Sequence, residues 1–107
     1  MRKASNPSQK KSATHNKLTL RLYIADQSPN SVRALTNLNE ICQNYLSDID
    51  YDLEIIDIFQ QPLRAIDDRI LVTPTLQILN PSKSLVVGDL SQREVVLSAL
   101  GLSEQET

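Results

Sequence analysis

The sequence has 107 residues, 40% of them apolar, which is enough for one small domain with a single core. No apolar run approaches the roughly 18 residues of a membrane span, so a soluble protein is expected. The net charge of -2 is unevenly distributed: residues 1–17 carry five bases and no acid, whereas the remainder carries six bases and thirteen acids. An acidic body argues against nucleic acid as a partner.

The two ends of the chain differ from its body. Residues 1–16 contain almost no apolar side chains and cannot bury enough surface to order themselves, so they are predicted to form a disordered basic arm. Residues 103–107 are predicted to be a disordered tail, and residues 17–102 the folded domain. The start has no apolar signal segment, and a single cysteine, Cys42, fits a reducing compartment. We therefore expect a cytoplasmic protein.

The first half of the body predicts a strand, a helix and a second strand. Residues 18–25 alternate between apolar and polar side chains, as in a half-buried strand. Ser28 and Pro29 suit the N-cap and first position of a helix, which continues with apolar residues at helical spacing to Leu46. Residues 51–58 alternate again, which predicts a right-handed βαβ unit.

The middle of the chain has a weaker pattern. In residues 61–70, Pro62 suits either the start of a short helix or the approach to an edge strand, and the two alternatives stay open. Residues 72–79 resemble the strand of thioredoxin-like folds that begins just after a cis proline. The resemblance implies a cis Thr73–Pro74 bond, which only proline allows at modest cost, with an ordinary trans bond as the alternative.

The last third predicts a hairpin and a helix. Residues 80–83 form a turn and residues 84–88 the partner strand, from which the chain leaves at Gly88 and Asp89. Ser91 and Glu94 have the spacing of a capping box, and Gly101 suits the C-terminal stop of a final helix.

No catalytic pattern accompanies these elements. The turn after the first strand lacks a Cys-x-x-Cys pair, and the single histidine, His15, lies in the basic arm. Cys42 lies in an apolar helical stripe, which favours a buried structural thiol over a thiol enzyme. The acidic residues at 48–52 and 67–68 lack the glycine and glutamate of a calcium loop, so they indicate solvated turns. We expect no enzyme activity, cofactor or metal.

Three segments in order resemble the KaiB circadian clock family: residues 22–35 (LYIADQSPNSVRAL), 68–76 (DRILVTPTL) and 88–94 (GDLSQRE). The resemblance spans residues 18–102 and implies an α/β, thioredoxin-like fold. It also implies that the second half can refold between a monomeric βαβαββα arrangement and a tetrameric βαββααβ arrangement. The hairpin and final-helix patterns favour βαβαββα.

The resemblance further implies a non-catalytic adaptor that binds the KaiC-type hexameric ATPase, sequesters KaiA and competes with a sensor histidine kinase. It implies a dimer or tetramer as the resting form, and no nucleic acid or membrane partner. The alternative is a KaiB-like module that works in stress signalling outside a clock. A thiol enzyme using Cys42 is the less favoured alternative.

Several residues carry these functional expectations. Arg33 is retained from the family motif as a basic partner contact, whereas Glu54 stands where the family often has lysine and Asp52 where a small residue is usual. Ala99 and Gly101 replace the glycine and aspartate of the family, and alanine in place of glycine stabilises a helix by roughly 0.5–1 kcal/mol. The expected structural or switch residues are Pro74, Gly88, Asp89, Ala99 and Gly101.

Overall fold

A computed structural model describes residues 17–102. Its elements are β1 (Leu18–Ile24), α1 (Pro29–Tyr45), β2 (Tyr51–Asp57), α2 (Pro62–Asp67), β3 (Thr75–Asn80), β4 (Ser84–Val87) and α3 (Arg93–Leu100). This is the βαβαββα order that the sequence favours, and not βαββααβ. The predicted basic arm 1–16 and tail 103–107 lie outside the described residues. Within residues 17–102, no helix combines the length and apolar character needed to cross a membrane.

The four strands form one mixed sheet in the order β2-β1-β3-β4. β1 pairs with β2 in parallel, with Arg21 opposite Glu54, and with β3 in antiparallel, with Arg21 opposite Gln77. β3 and β4 form the predicted antiparallel hairpin. β1 is therefore a central strand, and β2 and β4 are the two edges.

The main core lies on the face of the sheet that contacts α1 and α3. Alternate residues of β1 are buried there, as the period-two pattern predicts, and they pack with apolar residues of β3, β4 and both helices. Cys42 is among these buried residues, which confirms its expected place in the apolar stripe of α1. The strand residues of this core are Leu18, Leu20, Leu22, Ile24, Leu76, Ile78 and Val86.

The opposite face holds a second, smaller core. Here Tyr23 is fully buried with Ile56 and Ala65, and Ile58 and Ile70 pack against them. The alternation of β1 predicts a polar outer row that includes Tyr23, and for this residue the expectation is wrong. The reason is α2, which covers this end of the outer face and brings Ala65 against the tyrosine ring.

The ambiguous segment 61–70 is helical. Pro62 occupies the first turn of α2, as one of the two alternatives expected. The helix ends at Asp67, and Arg69 adopts a left-handed conformation with φ of 59°. This turn lets the Ile70 N–H donate to the carbonyl of Ala65 at 2.9 Å, so the chain folds back after a single short helix.

The start of α3 differs from the expected capping box. The helix begins at Arg93 with Gln92 as its N-cap, and no side chain caps it. Ser91 instead donates its backbone N–H to the Asp89 carboxylate at 3.0 Å, a local turn that competes with helix capping. The other end is as predicted, because Gly101 ends α3 with a left-handed φ of 84°.

The prolines and the remaining glycine border the hairpin. The Thr73–Pro74 bond is cis, as predicted, and the Asn80–Pro81 bond is also cis. Gly88 has φ of 115°, a conformation that side chains rarely adopt, and it ends β4 where the sequence predicts the exit from the strand.

Replacing Gly101 by alanine should lower the free energy of unfolding by about 1 kcal/mol, because an L side chain is disfavoured at positive φ. No heavy atom lies within 4 Å of the added Cβ, so the cost is conformational rather than steric. Urea unfolding measures the change. Ser98→Ala, an exposed position in the same helix, is the control and should be neutral or slightly stabilising. Equal stability of the two variants would contradict the left-handed stop.

Candidate functional site

The segment around α2 presents an apolar surface to solvent. We call it the 59–72 surface, and it consists of five large apolar side chains that are between 50% and 91% exposed: Phe59, Leu63, Ile66, Leu71 and Val72. Leu63 and Ile66 are three residues apart and share one side of the short helix. Scattered apolar residues are normal on a protein surface, but a group this dense typically marks an interaction site.

The loop before α2 is held by Asp57 at the end of β2. One oxygen of its carboxylate, Oδ1, accepts hydrogen bonds from the backbone N–H groups of Asp26, at 3.2 Å, and Phe59, at 2.9 Å. Its carbonyl accepts from Gln60 at 3.0 Å and from Gln61 at 2.9 Å. These bonds fix the direction in which the chain enters α2, and so they position the first residue of the 59–72 surface.

The residue just after α2 is bound to the central strand. The Tyr23 hydroxyl donates a short hydrogen bond to Asp68, and Arg21 Nη1 lies 2.8 Å from the same carboxylate oxygen. Charge-assisted bonds of this kind are about twice as strong as neutral ones. Asp68 is therefore an anchor for α2, and the expectation of a solvated acidic turn at residues 67–68 is wrong for this residue.

These contacts change the proton affinities of both groups. Burial, and then the hydrogen bond to the Asp68 carboxylate, raises the pKa of Tyr23 from 10.0 to about 12. The hydrogen bond from Tyr23 and the ion pair with Arg21 lower the pKa of Asp68. At neutral pH the anchor therefore consists of an uncharged Tyr23 hydroxyl that donates to an ionised Asp68 carboxylate.

A second charged group connects α2 to β2. Arg64 forms two bonds with the Glu54 carboxylate, at 2.5 and 2.8 Å, and Arg21 Nε lies 3.7 Å from the same group. The hydrogen bonds from Arg64 lower the pKa of Glu54. The pair is partly exposed to solvent, so screening by water and salt limits its contribution to stability. Glu54 is thus paired with the protein's own cations while it stays exposed to solvent.

A third group joins α1 to the loop before α3. Arg33 Nε lies 3.5 Å from the Asp89 carboxylate, and the Asn37 side chain donates to the Asp89 carbonyl at 2.8 Å. Hydrogen bonds from Ser91, together with Arg33, lower the pKa of Asp89. Two expected site residues, Arg33 and Asp89, are thus brought together as partners of each other.

The other expected residues lie apart in the fold. Asp52 is exposed on β2 and lies 3.4 Å from the Lys17 ammonium. Pro74 is buried before β3, Gly88 follows β4, and Ala99 packs against the main core from α3. No one of them belongs to the 59–72 surface, and their proposed roles stay predictions.

Most of the α2 site was not predicted from the sequence. The apolar residues at 63 and 66 are a visible signal, because a six-residue helix can bury only one side and its other apolar residues must face outward. The apolar residues at 59, 71 and 72 lie just outside the helix and extend this signal. Tyr23, Asp68 and Arg64 gave no comparable signal, since their contacts join residues 10 to 47 positions apart.

Two kinds of chemistry, metal binding and thiol reactivity, depend on residues that the structure describes. Between residues 17 and 102, no three His, Cys, Asp or Glu side chains are grouped in a way that could hold a metal ion. Cys42 is buried, and its burial raises the pKa of the thiol against the opposing effect of a hydrogen bond from Tyr51. His15 lies outside the described residues.

Comparison with known proteins identifies the family. A family model for the KaiB domain matches residues 21–102. The circadian clock oscillator protein KaiB of a Prochlorococcus marinus strain is 49% identical over 84 residues, which cover 78% of this chain and 79% of that protein. The chain belongs to the KaiB family. The KaiB protein of Trichodesmium erythraeum is 47% identical over 88 residues, covering 81% of this chain and 84% of the relative.

Solved structures agree with this membership at the level of the fold. The N-terminal domain of SasA from Synechococcus elongatus has a TM-score of 0.64 at 23% identity, covering 78% of this chain and 79% of that one. Mitochondrial thioredoxin 3 from Saccharomyces cerevisiae has a TM-score of 0.66 at 12% identity, covering 88% and 86%. This KaiB family member therefore has a thioredoxin-like fold, as expected from its sequence.

The Tyr23 anchor predicts a dependence of stability on alkaline pH. An unfolded tyrosine loses its proton near pH 10, whereas Tyr23 in the folded protein keeps it until about pH 12. Stability contributed by this group is complete below pH 10 and is lost as pH rises through the folded pKa. Tyr23→Phe should be less stable than wild type by about 1 kcal/mol at neutral pH, and the difference should shrink at alkaline pH.

Urea unfolding of both proteins at about pH 9 and about pH 11 measures this difference, which should change by on the order of 1 kcal/mol. Tyr45→Phe, a half-buried tyrosine of α1, is the matched control for the loss of a hydroxyl. If the difference in unfolding free energy between wild type and Tyr23→Phe is the same at both pH values, the hydrogen bond from Tyr23 to Asp68 does not anchor α2.

Proposed function

We propose that this protein is a non-catalytic adaptor that binds a KaiC-type hexameric ATPase in a bacterial circadian clock, and that it acts in the cytoplasm. Membership of the KaiB family and relatives named as clock oscillator proteins support a clock-related role. The observation that carries the binding step is the 59–72 surface. Its five exposed apolar side chains have the density expected of a protein-binding site.

The arrangement of α2 explains how this surface can bind. Ala65 on the inner side of α2 and Asp68 just after it contact β1, so Leu63 and Ile66 stay exposed on a helix that is already ordered. A surface formed before binding costs less conformational entropy than one that must fold on its partner. Arg69, which is exposed and follows α2, adds a positive charge at the border and favours an acidic rim on the partner.

The absence of catalysis is part of the proposal. The one thiol of the described chain is buried with a raised pKa, which gives no support to a thiol enzyme acting through Cys42. KaiA and a sensor histidine kinase are further proposed partners, because the family resemblance implies both. The partner roles of Arg33, Asp52 and Glu54 also remain proposals, and each of these residues has a charged neighbour within the protein.

A KaiB-like module outside a clock is the second candidate. The contact between Glu54 and Arg64 favours it, since an acid paired within the fold replaces the lysine that the family often presents on β2. A partner whose acidic surface is complementary to a basic β2 would meet the acidic side chain of Glu54 instead. Like charges across an interface cost several kcal/mol.

Binding to a KaiC-type hexamer with nucleotide, measured by biolayer interferometry, tests the proposal. Leu63→Asp should weaken binding at least tenfold, because a carboxylate would be desolvated in the apolar contact. Gln43→Asp, which places the same group at an exposed position of α1, should bind like wild type. Binding of Leu63→Asp at wild-type strength would contradict the assigned surface. Failure of the wild type itself to bind would favour the module outside a clock.

We further propose that Ala99 and Gly101 bias the chain toward the βαβαββα arrangement. Ala99→Gly combined with Gly101→Asp, the residues usual in the family, should weaken α3 by about 1–2 kcal/mol. Backbone chemical shifts should then show a new, slowly exchanging population with changed secondary structure in residues 75–100. The single variant Ser98→Ala is the control. If the double variant is less stable but shows only one set of backbone shifts, Ala99 and Gly101 do not bias the chain between the two arrangements.

A further inference from the structure

The outer face of the sheet, which carries Tyr23, is covered by α2 at one end. Ala65 of α2 packs there against Tyr23 and Ile56. At the other end, a groove of about 260 Å³ lies over β1 and β2 and is lined by residues that include Thr19 and Asp52. The Asp52 side chain is 68% exposed. This end of the face is therefore an open surface beside the start of β1.

Acidic side chains line the β2 side of this open surface. Asp50, Asp52 and Glu54 recur at every second position, so they lie on one face of the strand. The strand pairing extends back to residue 50, since the Asp50 carbonyl accepts from the Leu18 N–H at 3.1 Å. Asp48, in the turn before β2, is exposed as well. We call these four acids the 48–54 row.

Ion pairs neutralise the 48–54 row unevenly. Glu54, at the end near α2, pairs with two arginines, whereas Asp52 pairs with Lys17 alone, at 3.4 Å. Asp48 and Asp50 form no ion pair with any residue between 17 and 102. The uncompensated negative charge of the row is thus concentrated at the end where β1 starts.

The basic arm, residues 1–16, joins the fold at this same end. The Lys17 carbonyl accepts from the Asn80 side-chain amide at 2.5 Å and from the Thr19 hydroxyl at 3.4 Å, so the base of the arm is fixed. A flexible chain of six or seven residues has a mean span of about 12–16 Å, and the 48–54 row is about 20 Å long. The two lysines nearest to Lys17 can therefore reach the near half of the row. All the charged residues of the arm are basic: Arg2, Lys3, Lys10 and Lys11.

We propose that the basic arm folds back onto the open end of this face, with Lys10 and Lys11 against Asp48 and Asp50, and so covers the start of β2. The contacts join charged side chains and require no fixed backbone path. Each exposed ion pair is weak alone, but the connection through Lys17 holds the arm at an effective concentration on the order of millimolar. A partner that contacts the neighbouring Asp52 would have to displace the arm.

Charge also determines the direction in which the arm turns. Two turns adjoin the base of the arm: the acidic turn before β2, through the bond between Leu18 and Asp50, and the turn at residues 80–83, through the Asn80 side chain. The second turn contains Lys83 and no acid. An arm that is only tethered would sample both sides, whereas attraction to carboxylates and repulsion from Lys83 direct it to residues 48–52.

Paramagnetic relaxation enhancement in the full chain tests this contact. A nitroxide label on Ser8→Cys should broaden the amide signals of residues 48–52 more strongly than those of residues 82–84 at low salt. The excess should be lost at 1 M salt, where the Debye length is only about 3 Å. Wild type treated with the same label controls for Cys42, which is buried.

Substitutions in the labelled protein separate docking from tethering. Lys10→Gln with Lys11→Gln should remove the excess broadening at residues 48–52, and Asp48→Asn with Asp50→Asn should do the same from the side of the fold. Glu40→Gln, an exposed acid of α1 on the opposite side of the sheet, should leave the excess unchanged. Equal broadening at the two turns with the native arm, or an excess that survives in both double variants, would overturn the proposal.

Discussion

The hydrogen bond between the Tyr23 hydroxyl and the Asp68 carboxylate determines where α2 lies. Helices of six residues are not stable alone, so α2 depends on the sheet that it covers. Tyr23 supplies both the apolar ring that Ala65 contacts and the donor that fixes the residue after the helix. Together with the Asp57 hydrogen bonds and the Arg64–Glu54 pair, this anchor fixes the chain between β2 and β3 and so gives the 59–72 surface its shape.

The central position of β1 makes this arrangement possible. Its core-facing residues pack with α1 and α3, and its outer row, Arg21 and Tyr23, binds the short helix. The same strand thus holds the first βαβ half and the α2 segment together. In addition to the pairing of β1 with β3, the loop before α3 is held by Arg33 and Asn37 of α1, so the second half of the chain is attached to the first at several places.

Much of this fold could be predicted from local patterns. Alternation identified the strands, Pro29 and Gly101 marked helix ends, and the hairpin followed from its turn residues. The burial of Tyr23 could not be predicted from the sequence. Side chains on the outer face of a strand recur at every second residue whether that face is exposed to solvent or covered by a helix. The capping box failed at Ser91 for a related reason: Asp89 competes for the Ser91 N–H, and spacing alone does not reveal a competing acceptor. Arg33 and Asp89 were each predicted as site residues, but the contact between them was not predicted.

The 59–72 surface depends most on the packing of α2 against β1 within the βαβαββα order. NMR spectroscopy of the full chain tests it directly, through contacts between the Tyr23 ring and the Ala65 methyl group and through backbone shifts. We predict that contact, helical shifts over residues 62–67 and extended shifts over residues 75–80 and 84–87. Extended shifts over 62–67 with helical shifts over 75–87, and no contact between Tyr23 and Ala65, would contradict it.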